Sequence, residues 1–313
     1  MTPLPLKLTR RGMLLALGLA PLGAQQLPSE GGAAPAGTPT TPPAVTGPLD
    51  WYCPMDRDVR SDKPGKCSRC GMTLVFGVQE EIEYPFDVTV TPASFRAGQP
   101  VQIHFRITDP KTGKLVNHYE IVHERFMHMF LVSQDLQYFV HDHPVVQPDG
   151  TFIYNETFPK PGLYRVVGDF YPTGGTPQLT PRTLIVPGAP GQEVPIVEPN
   201  LKPELGVSHC ENMDVELTMD PPTPIVGLKT LLFFKISPAE GLEKYIGAWG
   251  HMLVASDDLI DLVHDHPFIA DGGPQMQFNI IFPRARTYKI WVQFQRKGVV
   301  NTASFTVPVS ELK

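Results

Sequence analysis

The sequence lacks the marks of nucleic-acid-binding and membrane-spanning proteins. Its 26 lysines and arginines face 32 aspartates and glutamates, and no basic run or patch occurs in the 313 residues, so a nucleic-acid partner is not expected. Beyond the N-terminal region, no apolar stretch is long enough to cross a bilayer as a helix. We therefore expect no integral membrane segment in the mature chain.

Local catalytic signatures are missing as well. The chain contains no Gly-x-Ser-x-Gly, no His-Glu-x-x-His, no phosphate-binding loop and no dinucleotide-binding fingerprint. We therefore expect a protein that is not an enzyme. Convergent catalytic triads need no local signature, however, so a metalloenzyme stays open as an alternative.

Residues 1–24 are typical of an export signal. Lys7, Arg10 and Arg11 precede an apolar core from Met13 to Ala20. The core is too short to span a bilayer, and the paired arginines resemble the twin-arginine type of signal, through which folded proteins are exported. These features predict a periplasmic or secreted protein of bacterial type.

Composition divides the rest of the chain into five parts. Residues 25–49 are rich in Pro, Gly, Ala and Thr and predict a disordered linker, and residues 189–207 form a second, Pro-rich linker. Residues 50–78 hold three of the four cysteines. Residues 82–188 and 208–312 each show about seven short strand patterns and no helical period, which predicts two tandem immunoglobulin-like sandwiches in an all-β chain.

The two sandwich regions are copies of one repeat. Residues 127–144 recur as residues 250–267, and in both copies a second histidine follows the first by thirteen residues and a third follows two later. Six of the ten histidines fall in these two copies: His128, His141 and His143, then His251, His264 and His266. The likeness extends beyond the histidines, so we expect it to cover whole domains.

Each copy predicts a β-hairpin whose three histidines bind a metal ion. Apolar residues run up to a short polar turn, Gln134-Asp135 in the first copy, and then resume in a second strand. A loop of even length centred there places His128 opposite His141, with Cβ atoms about 4.5–5.5 Å apart, and puts His143 on the same face. Three imidazoles would then converge in each sandwich, which suits Cu(II) or Zn(II).

Two outcomes would defeat that prediction. A loop of odd length separates the first two histidines, and a solvated His-x-His at a strand edge needs no metal. The remaining histidines, His104, His118, His123 and His209, are not expected at the sites, although His123, five residues before His128, could join the first site. Asp142 and Asp265 alternate away from the histidine face and are expected in solvent, or behind the ligands if the strand bends.

The most specific local pattern is the cysteine segment. Trp51-Tyr52-Cys53-Pro54-Met55-Asp56 is followed by Pro64-Gly65-Lys66-Cys67-Ser68-Arg69-Cys70-Gly71-Met72-Thr73-Leu74. Cys67-x-x-Cys70-Gly71 predicts a tight turn whose two thiolates face one ion, and Cys53 adds a third thiolate. The segment is too small to fold on an apolar core, so a metal or a disulfide must stabilise it.

This segment resembles the small heavy-metal-binding domain with the pattern Tyr-x-Cys-Pro-Met-His-Pro and then Pro-Gly-x-Cys-Pro-x-Cys-Gly-Met-x-Leu, which is attached to copper/silver efflux adaptors and copper-transporting ATPases. The resemblance runs from Tyr52 to Leu74 and implies that Cys53, Cys67 and Cys70 are ligands. Asp56 stands where that family has histidine, which implies either a harder fourth ligand or a site with three. A disulfide or a structural zinc knuckle remains the alternative.

Together these patterns predict an exported protein of metal homeostasis that captures, buffers or hands on a heavy-metal ion, above all copper. The cysteine segment would hold Cu(I), and each histidine hairpin would hold Cu(II) or Zn(II). A metal-efflux or metal-delivery protein is the expected partner. The alternatives are an extracytoplasmic metalloenzyme with His-ligated copper or zinc, and a structural or adhesion module with no functional metal in its sandwiches.

Overall fold

The computed structural model describes residues 50–54, 59–68, 71–77, 82–269 and 271–312. These residues form 20 strands, so the predicted all-β fold is confirmed. Within the described ranges, no helix is long and apolar enough to span a membrane. The predicted export signal, the first linker, Asp56 and Cys70 lie outside the described residues.

The cysteine segment forms a small three-stranded sheet. Its strands β1 (Asp50–Tyr52), β2 (Arg60–Ser61) and β3 (Val75–Gly77) lie in the order β2-β1-β3. Among its described residues, the buried apolar side chains are those of Tyr52, Cys53, Cys67 and Leu74. So few buried side chains cannot stabilise a fold by themselves, in agreement with the expectation of a metal or a covalent staple.

Residues 86–186 form the first sandwich, whose two four-stranded antiparallel sheets run in the orders β4-β5-β9-β8 and β11-β10-β6-β7. The strands are β4 (Phe86–Thr91), β5 (Pro100–Ile107), β6 (Met127–Ser133), β7 (Phe139–Asp142), β8 (Val145–Val146), β9 (Phe152–Thr157), β10 (Gly162–Phe170) and β11 (Gln178–Val186). Buried and more exposed residues alternate along β5, because one face of its sheet covers the core and the other faces outward.

The second sandwich repeats this arrangement. Its strands are β12 (Ser208–His209), β13 (Asp214–Asp220), β14 (Lys229–Ser237), β15 (Leu242–Glu243), β16 (His251–Ser256), β17 (Leu262–Asp265), β18 (Gln275–Ile281), β19 (Thr287–Arg296) and β20 (Val299–Pro308). One sheet has the order β12-β13-β14-β18, and the other has the order β15-β19-β16-β17 with β20 paired to β19. Strands β16, β17 and β19 therefore correspond to β6, β7 and β10.

Strand β6 is buried on both of its faces. Met129 and Leu131 point into the core of the first sandwich, whereas Phe130 and Val132 belong to a separate apolar cluster. Strand β16 divides its residues in the same way between the core of the second sandwich and that cluster. Each sandwich thus covers the outer face of the other's central hairpin.

We call this shared cluster the interdomain interface, and its buried members are Phe130, Val132, Leu136, Val167, Leu253, Ala255, Leu259 and Trp291. Phe139 of the first sandwich stacks on Trp291 of the second, with ring centroids 4.8 Å apart and planes 6° apart. Arg165 Nε donates to the carbonyl oxygen of Leu259 at 3.1 Å. The two sandwiches therefore pack sheet against sheet.

A substitution at Leu253 tests this packing. The Leu253 side chain is 1% exposed, and the docking of the second sandwich on the first is what buries it. Replacing it with Ala should lower the free energy of unfolding by about 2–5 kcal/mol. The control Ile260→Ala, at a side chain that is 61% exposed, should change it by less than about 0.5 kcal/mol. Chemical denaturation measures both, and equal effects would show that Leu253 faces solvent.

Candidate metal centre

The two histidine hairpins have turns of even length, as the parity prediction requires. Ser133 N donates to the carbonyl oxygen of Tyr138, which leaves four residues in the first turn. The turn is centred one residue later than predicted, because the Asp135 carboxylate accepts from the backbone of Gln137 and Leu136 adopts a φ of 60°. His141 consequently lies opposite Phe130 and not opposite His128. The predicted register was therefore wrong by two residues.

A shift of two residues keeps every side chain on the predicted face. His128 Nδ1 lies 3.2 Å from His141 Nε2 and 3.2 Å from His143 Nε2. The second hairpin has the same shift, with His264 opposite Leu253, and His251 Nδ1 lies 3.1 Å from His266 Nε2. The histidines of each hairpin therefore share one face and lie together.

The sequence places the two histidine trios in separate sandwiches, and the structure brings both trios together. The histidine faces of both hairpins meet at the end of the interdomain interface. One ring nitrogen from each of His128, His141, His251 and His264 lies within 4.8 Å of the other three. We call the shared cluster the histidine chamber, and its members are His123, His128, His141, His143, His251, His264 and His266.

Hydrogen bonds around the chamber determine which nitrogen of each ring carries a proton. His128 Nε2 donates to the carbonyl oxygen of Val122 at 3.1 Å, and His251 Nε2 donates to that of Tyr245 at 2.9 Å. In both rings the neutral form therefore leaves Nδ1 as a lone pair that faces the chamber. Val122 and Tyr245 occupy corresponding turns, each closed by a bridge to the residue three positions on.

The other two rings are oriented by the opposite sandwich. His141 Nδ1 donates to Gln293 Oε1 at 2.7 Å, and His264 Nδ1 donates to the Asp169 carboxylate. Asp169 is the cross-strand neighbour of His128, as Gln293 is of His251, so the two acceptors occupy equivalent positions. Each sandwich therefore fixes the tautomer of one histidine that belongs to the other.

Four ring nitrogens with lone pairs thus converge, and those of His128 and His251 have a possible donor in Nε2 of His143 and of His266. The 3.2 Å contact between His128 Nδ1 and His141 Nε2 joins two acceptors with no hydrogen between them. Nε2 of His264 is buried and has no hydrogen-bond partner in the described part of the chain. A buried acceptor without a partner costs free energy, and a cation at the centre would remove that cost.

Burial keeps these rings neutral and therefore able to bind a metal. His128 and His251 are each 2% exposed. Burial, and then the neighbouring histidines, hold the pKa of His128 and of His251 well below the ordinary value of a histidine. Burial likewise lowers the pKa of His141 to about 3. A metal ion binds the deprotonated ring nitrogen, so no proton has to leave at neutral pH.

Sequence reasoning missed several chamber residues. His123 was considered only as an alternative ligand of the first site, yet its ring centroid lies 3.7 Å from that of His266 in the other sandwich. Asp169 and Gln293 carried no sequence signal, because their role depends on the docking of the sandwiches. Asp142, expected in solvent or behind the ligands, has an exposed carboxylate 3.7 Å from His143 Nδ1.

The other histidines lie apart from the chamber. His104 is on β5, in the sheet that the chamber does not contact. His209 is exposed and donates to the carboxylate of Asp214 at 2.8 Å. Cys210 is half-buried, and burial raises the pKa of its thiol. Neither His209 nor Cys210 belongs to a described cluster of metal-ligand side chains.

The cysteine segment forms the predicted tight turn as far as the structure describes it. Gly71 N donates to the carbonyl oxygen of Cys67 at 3.0 Å, and Gly71 has a φ of 76°, which suits glycine. Cys67 and Cys53 are both buried, at 3% and 0% exposure. The turn thus brings two of the three predicted thiol ligands into one small core, while Cys70 and Asp56 are outside the described residues.

An open cleft of about 430 Å³ reaches the edge of the chamber. His141 and Gln293 line it on the chamber side, together with Trp291 and Thr302. Gln293 links the chamber to the cleft, since its Oε1 accepts from His141 and its Nε2 donates to Thr302 Oγ1 at 3.0 Å. The cleft is therefore the described route by which an ion in solvent can approach a chamber histidine.

Solved structures with sandwich domains resemble the chain only distantly. The adhesin InvE of Yersinia pseudotuberculosis is 10% identical, with 71% of this chain and 58% of that chain covered and a TM-score of 0.24. The Escherichia coli adhesin FdeC is 16% identical, with 76% and 69% covered and a TM-score of 0.24. A two-domain fibronectin type III segment of chicken tenascin is 9% identical, with 72% and 99% covered and a TM-score of 0.21. Likenesses this weak carry no argument about function.

A search of curated proteins finds no match. Two family models do match the sequence. The model described as Heavy metal binding domain matches residues 51–75, which supports the resemblance of the cysteine segment. The model described as Domain of unknown function (DUF8832) matches twice, at residues 81–188 and 208–311. Since these two matches cover most of the chain and all seven chamber histidines, the chain belongs to the DUF8832 family, and the segment that matches the heavy metal binding domain model precedes its two family domains.

Proposed function

We propose that this protein binds a transition-metal ion, copper above others, in the histidine chamber between its two sandwiches, and that the heavy metal binding segment captures the soft form of the same metal. The observation that carries the proposal is the pair of facing lone pairs on His128 and His141. The protein would be exported, and would buffer the ion or hand it on to a metal-efflux or metal-delivery protein.

One pair of chamber nitrogens has the separation that such an ion requires. Two nitrogens bound to one ion at about 2.0–2.1 Å lie roughly 3–3.5 Å apart in tetrahedral or square geometry. The distance of 3.2 Å between His128 Nδ1 and His141 Nε2 falls in this range. Ligand histidines also characteristically donate their second N–H to a carbonyl or carboxylate, as His128, His251 and His264 do here.

Copper is the ion that best fits both donor sets of the chain. Thiolates favour Cu(I), and among divalent first-row ions an imidazole site binds Cu(II) most tightly. Zn(II) accepts the same ligands with lower affinity at the histidines. A chain that offers thiolates at one site and imidazoles at another can therefore hold copper in either oxidation state.

Binding and transfer fit the chamber better than catalysis does. The rings of His128 and His251 are almost wholly buried, which leaves little room for a substrate at the ion. The cleft at His141 favours a metalloenzyme as the second candidate, since catalysis needs an open coordination position. A purely structural or adhesive role predicted splayed imidazoles, whereas the rings converge.

Removal of one central ligand tests the proposed function. In a full chain whose three segment cysteines are replaced by serine, His141→Ala should weaken or abolish the binding of Cu(II) and Zn(II), because one of the four converging nitrogens is lost. The matched control His209→Ala removes an exposed histidine and should bind as the parent does. Metal per chain after loading and desalting is the measurement. A parent that retains no metal would contradict the proposal.

The carboxylate behind His264 provides a second test. Asp169→Asn keeps a hydrogen-bond acceptor for His264 but removes the negative charge that raises the basicity of the His264 ring as a metal ligand. Metal affinity should therefore fall about 10–100-fold. Asp87→Asn, on an exposed position of β4, is the control. Competition with a chelator of known affinity measures both. Equal affinities of the two variants would show that the Asp169 carboxylate does not tune metal binding through His264.

The pH dependence of the metal-free protein provides a third test. Burial lowers the pKa of His141 to about 3 in the folded state, whereas an unfolded histidine titrates near its ordinary pKa of about 6.5. The unfolded state therefore binds the extra proton between these values, and stability should fall as pH drops from about 6.5 toward 3, at up to about 1.4 kcal/mol per pH unit for this ring.

The variant His141→Ala should show a shallower decline across that window, measured by denaturant unfolding at several pH values. Parallel curves for the parent and the variant would mean that His141 titrates alike in both states, and hence that it is not buried in solution.

A further inference from the structure

The chamber contains more imidazoles than one ion can bind. Four nitrogens complete a tetrahedral site, and His128, His141, His251 and His264 supply them. His143 and His266 are left over, although each directs Nε2 at a lone pair of the central set.

The two extra histidines, His143 and His266, each lie beside the histidines of their own hairpin. The His143 ring is 4.8 Å from His128 and 5.0 Å from His141, between centroids, so it lies with the first hairpin. The His266 ring is 4.7 Å from His251 and 4.6 Å from His264, so it lies with the second.

The same device holds both extra histidines. The backbone N of His143 donates to Asp142 Oδ1 at 2.8 Å, and that of His266 donates to Asp265 Oδ1 at 2.8 Å. The backbone that carries each of the two rings is thus held by an equivalent contact, and each ring directs Nε2 at the chamber.

We propose that the chamber holds two metal ions, one bound by His128, His141 and His143 and the other by His251, His264 and His266. This proposal rests on the proposed function and adds the number of ions that each chain binds. Rings of the two trios approach each other as closely as rings within a trio, at 5.3 Å for His141 and His251. The two ions would therefore be neighbours in one chamber, as the ions of two-metal sites are.

His123 makes the two ion positions unequal. It belongs to the first sandwich, but its ring lies 3.7 Å from His266 and 5.7 Å from His251. Ile246 occupies the corresponding turn position in the second sandwich, so the first trio has no matching neighbour. The first trio instead includes His141, which borders the cleft. The ion of the first trio is consequently the exchangeable one.

Counting ions tests the proposal in the full chain whose three segment cysteines are replaced by serine. After loading with Cu(II) and desalting, we expect two copper ions per chain. The electron paramagnetic resonance signal should be well below that of two isolated ions, because the spins of two neighbouring Cu(II) ions couple. The control His209→Ala should behave in the same way.

Variants that remove one of the two extra histidines distinguish the possible results. His143→Ala and, independently, His266→Ala should each retain one copper and give the full signal of one isolated ion, with unfolding curves to verify the fold. One copper in the parent, unchanged by both variants, would overturn the two-ion proposal and leave the proposed function intact. No copper in the parent would overturn both.

Discussion

The packing of one sandwich against the other is the constraint on which the candidate site depends. Strands β6 and β16 are buried on both faces, and the apolar residues of the interdomain interface bring the two hairpins together. The histidines continue the same strand faces: His128 precedes Phe130 by two residues, as His251 precedes Leu253. Apolar burial at one end of the interface therefore determines how closely the imidazoles approach at the other.

The hydrogen bonds around the chamber link its chemistry to that packing. Gln293 of the second sandwich orients His141, and Asp169 of the first orients His264. A small rotation of one sandwich would break both contacts and release both rings. The low-dielectric surroundings keep the imidazoles neutral, and they also raise the free-energy cost of a lone pair that has no partner. Burial therefore explains both the neutral state of the rings and their affinity for a cation.

Much of this arrangement follows from local sequence patterns. The spacing of His128, His141 and His143 indicated a hairpin with a shared face, because side-chain direction repeats every two residues. The register was missed because Leu136 looks like a strand residue and instead takes a left-handed turn conformation. The cysteine motif identified its segment, since metal knuckles use fixed spacings.

The meeting of the two trios could not be predicted from either copy alone. One signal was present: Met127 to Val132 is apolar with hardly an interruption, where a strand with one solvated face would alternate. The proximity of His123 to His266, and of Asp169 to His264, depends on a docking geometry that no local pattern encodes.

The exchange of orienting groups between corresponding positions has an evolutionary consequence. Two identical copies related by a two-fold axis would build the same chamber by self-association, since each would lend its Asp169 or Gln293 equivalent to the other. Joining the copies in one chain removes the requirement that they be identical. The two halves differ at such corresponding positions, with His123 in one and Ile246 in the other, and with Asp169 in one and Gln293 in the other, so the two ends of one cavity are not alike.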